Sequence, residues 1–283
     1  MGSELRDTQG YHAANDEREF PMSEPMIRFD DGAGYEQMMG KWSRLAGDIF
    51  LDWLQAPPGL RWLDIGCGNG AFTETLIERC APSAISAIDP SEGQLLYAQQ
   101  RAACRMADFQ QGDAMTLPYG NAGFDAAVMA LVLFFVPEPA QGVAEMMRVV
   151  RPGGTVSAYV WDLLEGGFPL VAIQEQMRAM GKTPMLPPSP EVSRMPVLRQ
   201  TWTDAGLLSV QTTVIHVQRT FSGFDDYWHT ALLGSSVGPV IKALDANEFD
   251  TLRSGVQQRL PRQADGQLVI SARAHAVTGV VPG

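Results

Sequence analysis

The sequence predicts an α/β fold, a doubly wound and mainly parallel sheet with helices on both faces. Three observations predict it. From residue 35 onward, β-type and helix-type segments alternate through short connections, the pattern of parallel strands joined by right-handed crossovers. "FDAAVMALVLFF" (124–135) is one continuous apolar run, as a parallel strand buried on both faces must be. "WLDIGCGNGAFTETL" (62–76) passes from an apolar run through an acid and three glycines into a helix-like stretch, the turn that opens such sheets to a ligand.

Residues 1–30 are polar, acidic and poorly periodic, which predicts a flexible N-terminal arm ahead of one domain over 31–283. Met38, Trp42, Leu45, Ile49 and Trp53 recur at helical spacing, and "APPGL" ends that helix. "RWLDIG" is the first strand and residues 70–79 the next helix. "AISAID" is the second strand, stopping at Asp89, and "SEGQLLYAQQRAACR" a helix with Ser91 as N-cap. "ADFQQGDA" holds a short third strand, and residues 124–135 form the fourth. "PEPAQGVAEMMRVV" is a helix, "RPGG" a turn and "TVSAYVW" the fifth strand. Residues 165–182 are helical, "TPMLPPSP" is a connector, and "VSRMPVLRQTWTDAGL" is a helix closed by Gly206. "VQTTVIHVQRTF" and "GQLVISARAHAVTGV" read as strands. The about 45 residues between them carry helical periodicity, with Phe249, Leu252, Val256 and Leu260 on one buried face. That is too long for a hairpin loop. It predicts a helical lid over about 222–262, joined by a second lid segment over about 165–198.

Composition narrows the function. The chain has 283 residues, 45% hydrophobic, enough for one large domain with a substantial core. No uncharged apolar run reaches the roughly 18 residues of a membrane helix. The first twenty residues lack the apolar core of a secretory signal, so a cytoplasmic location without membrane insertion is expected. Cys67, Cys80 and Cys104 are odd in number and form no CxxC pair, which suits a reducing compartment and predicts no metal site. The net charge is −11 and the densest basic stretch is "RVVR", which argues against a nucleic-acid partner.

Gly66, Gly68 and Gly70 permit positive φ and close approach of backbone to a ligand. Gly66-x-Gly68-x-x-Ala71 also fits a loose dinucleotide fingerprint, so an NAD(P)-dependent oxidoreductase is an alternative. Asp64 argues the other way. A carboxylate beside the loop repels a pyrophosphate and attracts a cation, and S-adenosylmethionine carries an ammonium and a sulfonium at its methionine end. Asp89 can accept from two ribose hydroxyls, Asp113 from an adenine amino group, and the Ala114 N–H can donate to a ring nitrogen. Cys67 reads as a small filler within the loop.

"LDIGCGNG", the terminal "AID", "GDAMTLPYGNAGFDAAV" and "EMMRVVRPGG", in that order over residues 60–160, resemble class I S-adenosylmethionine-dependent methyltransferases. They are most similar to the small-molecule branch that includes the ubiquinone/menaquinone methyltransferases. The resemblance implies a Rossmann-like sheet whose last two strands are antiparallel. It places Asp64, Gly66 and Gly68, with Cys67 between the glycines, at the methionine portion of the cofactor. It puts Asp89 at the ribose with Pro90 and Gln94 nearby, Asp113 and Ala114 at the adenine, and Ala130 and Leu131 at the methionyl group through backbone. "YEQMMGKWSR" resembles a cofactor-covering helix. Relatives often carry a His where this chain has Phe134. The implied reaction is in-line transfer of a methyl group to a small, partly hydrophobic or aromatic metabolite, and a catalytically silent cofactor-binding module is the remaining alternative. Tyr35, Phe134, Trp161 and Trp228 are candidates for the acceptor pocket, and His229, His216 and Asp162 for a general base. The competing use of the lid's aromatic residues is a homodimer interface.

Overall fold

The computed structural model describes residues 36–234, 237–261 and 265–283. The expected arm over 1–30 and Tyr35 lie outside the described residues.

Seven strands form one sheet in the order β3-β2-β1-β4-β5-β7-β6. They are β1 (Arg61–Ile65), β2 (Ala84–Asp89), β3 (Ala107–Gln111), β4 (Phe124–Ala130), β5 (Val150–Trp161), β6 (Leu208–Phe221) and β7 (Leu268–Val280). The first five are parallel; β7 runs antiparallel to both β5 and β6. This is the Rossmann-like, mainly parallel sheet that the alternation and the resemblance imply. Strand order reverses between β1 and β4, and in open α/β sheets the ligand crevice lies beyond the carboxyl ends of the strands at such a point.

The helices are α1 (Lys41–Leu54), α2 (Ala71–Cys80), α3 (Glu92–Ala98), α4 (Pro139–Val149), α5 (Val171–Ala179) and α6 (Met195–Asp204), followed by α7 (Phe224–Leu232), α8 (Gly238–Lys242) and α9 (Ala246–Arg259). A π-helical turn, Glu36–Gly40, leads into α1. Gly47 sets how closely α1 lies on the sheet: a Cβ there would stand 3.0 Å from Phe72 and 3.3 Å from the Tyr159 hydroxyl. Trp42 and Phe50 on the same side of α1 pack on Trp161 and Tyr159. Among the described residues no helix is long and apolar enough to cross a membrane.

Three local expectations are corrected. The helix after β2 ends at Ala98 rather than near residue 105, because Gln100 and Arg101 turn their N–H groups to carbonyls three residues back. "RPGG" is part of β5, where Gly153 at φ +74° makes a bulge in the strand rather than a turn before it. The fourth strand stops at Ala130: Leu131 takes φ +62° and Leu133–Phe135 is a 3₁₀ turn. Ser91 caps α3 as expected, its Oγ accepting from Gln94 N at 3.3 Å.

The connection from β6 to β7 is helical. Asp245 and Glu248 start α9 with a reciprocal capping box. Leu252 and Val256 are buried, whereas Phe249 and Leu260 are only half-buried. This insertion rests on α5 and on the turn ahead of α1. Gly255 meets Gln176, Arg259 Nε donates to Gln176 Oε1 at 3.0 Å, and Gly234 sits against Met38 and Leu170.

Candidate functional site

The glycine loop between β1 and α2 lies at the crevice. Its first two amides, Gly66 N and Cys67 N, both donate to Ile88 O at 2.7 and 3.0 Å, which ties the loop to β2. Gly66, Gly68 and Gly70 have φ of +71°, +52° and +79°. Their reasons differ. A Cβ on Gly66 would come within 2.5 Å of Val132, which packs into the loop from the end of β4. A Cβ on Gly68 would meet nothing within 4 Å, so this residue faces open space. There the backbone forms the wall of a cradle that a side chain would fill.

Asp64, one residue before the end of β1, is fully buried. Its Oδ2 accepts from Thr73 Oγ1 at 2.7 Å, and its Oδ1 has no hydrogen-bond partner. Burial pushes the carboxyl up to about 7, against the Thr73 bond, and nearby Asp89 adds to the rise. A buried acceptor without a partner is costly. A cationic donor in the crevice would complete it, and S-adenosylmethionine brings an ammonium and a sulfonium, so the residues fit that cofactor.

Asp89 is also buried. Its Oδ2 accepts from Gly68 N at 2.8 Å and its Oδ1 from Ser91 N at 2.9 Å. It therefore staples the glycine loop to the start of α3, and each oxygen keeps a second lone pair. Burial raises its pKa, and the two amide bonds oppose the rise. Pro90 beside it is exposed, while Gln94 is buried in the first turn of α3. Asp113 is exposed and forms an Asx turn, Oδ1 accepting from Met115 N at 2.8 Å, with Ala114 half-buried inside that turn. Gly112 N donates to Asp89 O at 3.2 Å, which brings the ends of β2 and β3 together. Ala130 is half-buried, and Leu131 N donates to Tyr159 O at 2.8 Å. Cys67 is a buried filler whose thiol is pushed well up by burial.

The remaining candidates are spread more widely. Phe134 and Trp161 are buried below the crevice, Trp161 edge-on to Trp42 at 6.4 Å. Trp228 stacks on Phe224 at 5.9 Å and meets Phe249 edge-on at 5.7 Å, within the main hydrophobic core. Asp162 is fully buried and committed: Oδ2 accepts from Arg273 Nε at 2.9 Å and also from its Nη2, and Oδ1 accepts from Glu165 N at 2.9 Å. His216 is exposed on β6 and His229 exposed in the last turn of α7. Arg44 pairs with Glu78 at 2.7 Å on the surface.

Two residues escaped the sequence reading. Val132, which makes Gly66 obligatory, lies within an apolar run that gives no hint of where its side chain points. His275, with Nδ1 2.7 Å from Ser193 O, is buried on β7. The alternation of "SARAHAVTGV" could have placed it in the sheet, but not its partner on a distant turn.

Residues 63–158 match the methyltransferase domain family, a span from β1 into β5 that takes in the glycine loop, Asp89 and Asp113. The chain is 33% identical over 121 residues to the ubiquinone/menaquinone biosynthesis C-methyltransferase of Cereibacter sphaeroides, covering 41% of this chain and 48% of that one. It is 36% identical over 141 residues to the demethylmenaquinone methyltransferase of Renibacterium salmoninarum, covering 50% of this chain and 56% of that one. The phosphoethanolamine N-methyltransferase 2 of Haemonchus contortus, solved with S-adenosyl-L-methionine, shares the fold with a TM-score of 0.55 at 15% identity, covering 88% of this chain and 56% of that one. Over residues 63–158 the chain is similar to methyltransferase domains, and its sheet has the fold of class I S-adenosylmethionine-dependent methyltransferases. Within that class the chain resembles the ubiquinone/menaquinone C-methyltransferases, and it spans about half the length of these two relatives.

Proposed function

We propose that the protein transfers a methyl group from S-adenosylmethionine to a small, partly hydrophobic or aromatic acceptor by in-line displacement. The observation that carries this is the fully buried Asp64, whose Oδ1 stays unpartnered beside the open cradle at Gly68. Asp64 would hold the cationic methionine end, Gly66 and Gly68 leave room for it, and Cys67 fills the loop beneath. Asp89 accepts from the ribose, flanked by Pro90 and Gln94; Asp113 and Ala114 bracket the adenine; Ala130 and Leu131 offer backbone. The bound cofactor supplies a methyl group already activated by its positive sulfur. The protein's part is alignment, and holding two reactants in line supplies roughly 7–11 kcal/mol of barrier lowering.

The acceptor side is apolar. Phe134 and Trp161 form its floor, and the α7–α9 insertion, α5 and the turn ahead of α1 cover it as a lid. With Asp162 committed to Arg273, and His216 and His229 exposed, the reading favours alignment over general-base assistance. A small-molecule acceptor, a cytoplasmic location and no nucleic-acid partner complete the reading. Titration calorimetry tests it. S-adenosylhomocysteine should bind at micromolar concentration and NADH should not; tight NADH binding with none of S-adenosylhomocysteine would overturn it. Turnover in a metabolite screen that follows homocysteine release separates an enzyme from a silent binding module.

A further inference from the structure

We propose that the outer edge of β6 is a homodimer interface, at which β6 of a second copy pairs antiparallel and continues the sheet across both chains. The lid aromatics do not serve this purpose, since Tyr227 and Trp228 are buried within their own chain. β6 ends the sheet, and among the described residues no strand pairs with its outer side. It is 14 residues long and pairs with β7 in unbroken register from Gln211 to Phe221. An edge of that length presents a row of unpaired N–H and C=O groups, which proteins ordinarily blunt with Lys, Pro, inward charges or bulges. β6 has no Lys, Pro, Asp or Glu, and its one irregularity lies at its start, between Leu208 and Gln211.

The edge is bordered by apolar surface on both faces. On α1, the flank of Arg44, Asp48 and Asp52 turns to α2, where it pairs with Glu78 and Arg79. Leu45 and Ile49 lie on the opposite flank, beside β6, and are 38% and 40% exposed. On the other face Val214 is 42% exposed.

A second copy fits this strip better than an unrelated partner because the strand is complementary to itself. A two-fold axis at Ile215 sets Gln211 opposite Arg219, Thr213 opposite Val217 and Val214 opposite His216, with no like charges opposed. A chain of net charge −11 meets itself here on a strip without an acid. The overlap from 211 to 219 is roughly 30 Å long and, with the helix layers on both faces, roughly 25 Å deep, which approaches the roughly 800 Å² per partner of a standard interface.

Analytical ultracentrifugation of the full chain from about 1 to about 100 µM tests this. A species of twice the 30.8 kDa chain mass is expected. Val214→Lys should weaken the dimer at least about tenfold without lowering the melting temperature or S-adenosylhomocysteine affinity. Ile49→Glu probes the same strip from α1 and serves if the first variant fails to fold. Hydrogen exchange at the outward-facing amides of residues 211–219, those not bonded to β7, should be slow in the dimer and fast in the diluted monomer. A wild-type chain that stays monomeric at the highest concentration overturns the proposal, as does a dimer indifferent to both variants. Slow exchange of those outward-facing amides in a monomer also overturns it, by assigning the edge to another segment of the same chain.

Discussion

At the residue scale, Asp64 links stability to binding. Its folded-state pKa of about 7 lies above the ordinary carboxylate value of 3.8, so the native chain holds that proton more tightly than the unfolded chain. Its contribution is therefore most favourable at low pH. It declines as pH rises from about 4 to about 7 and is level above that, a change on the order of 4 kcal/mol. Asp64→Asn should raise the neutral-pH melting temperature of the cofactor-free protein and flatten this slope while abolishing S-adenosylhomocysteine binding. Thermal scans across pH beside calorimetry check it, and an Asn variant that binds normally would remove Asp64 from the site. Bound cation should also draw the proton off Asp64, so calorimetry near pH 7 should show buffer-dependent heats that vanish near pH 9. Asp89→Ala removes a charged acceptor from the proposed ribose position, worth about 1.5–3 kcal/mol, so cofactor affinity should fall at least about tenfold. The same change frees the Gly68 and Ser91 amides at the surface of the crevice. The sheet should survive it, and circular dichroism distinguishes loss of binding from loss of fold.

At the element scale, the end of β5 and the insertion divide support from chemistry. Asp162 binds Arg273 of β7 and the Glu165 N–H, which fixes how the chain leaves β5 towards α5. Asp162→Asn keeps an acceptor for Glu165 but deprives Arg273 of its counter-ion. It should lower stability by about 1–3 kcal/mol and leave kcat per folded molecule unchanged. A collapse of kcat with unchanged stability would instead make Asp162 the base. The proposed lid comprises α7 to α9, and Gly234, just after α7, sits against Met38 and Leu170. Amides of these helices should exchange more slowly when S-adenosylhomocysteine is bound, because closure over the crevice shields them. Exchange that ignores the ligand would mean the insertion is only a structural cap.

At the scale of the whole molecule, the sequence by itself determined the alternation of strands and helices, the crevice loop and the acids beside it. These follow from local rules: the period of apolar residues, the freedom of glycine, and charge at a strand end. Asp64, Asp89 and Asp113 could be placed in the fold because each stands at or next to the carboxyl end of a strand, where chain direction alone brings it to the same edge of the sheet. Tertiary structure decided the rest. "RPGG" became strand because β7 supplies a partner, Gly153 N donating to Val281 O at 2.9 Å across the sheet. Leu131 holds a left-handed backbone because its N–H is claimed by Tyr159 O, a partner no local window contains. Asp162 became half of an ion pair, 111 residues from Arg273, and Trp228 came edge-on against Phe249. Such assignments depend on contacts between residues far apart in the chain. Periodicity reports which face of an element is apolar, and only packing decides what that face meets.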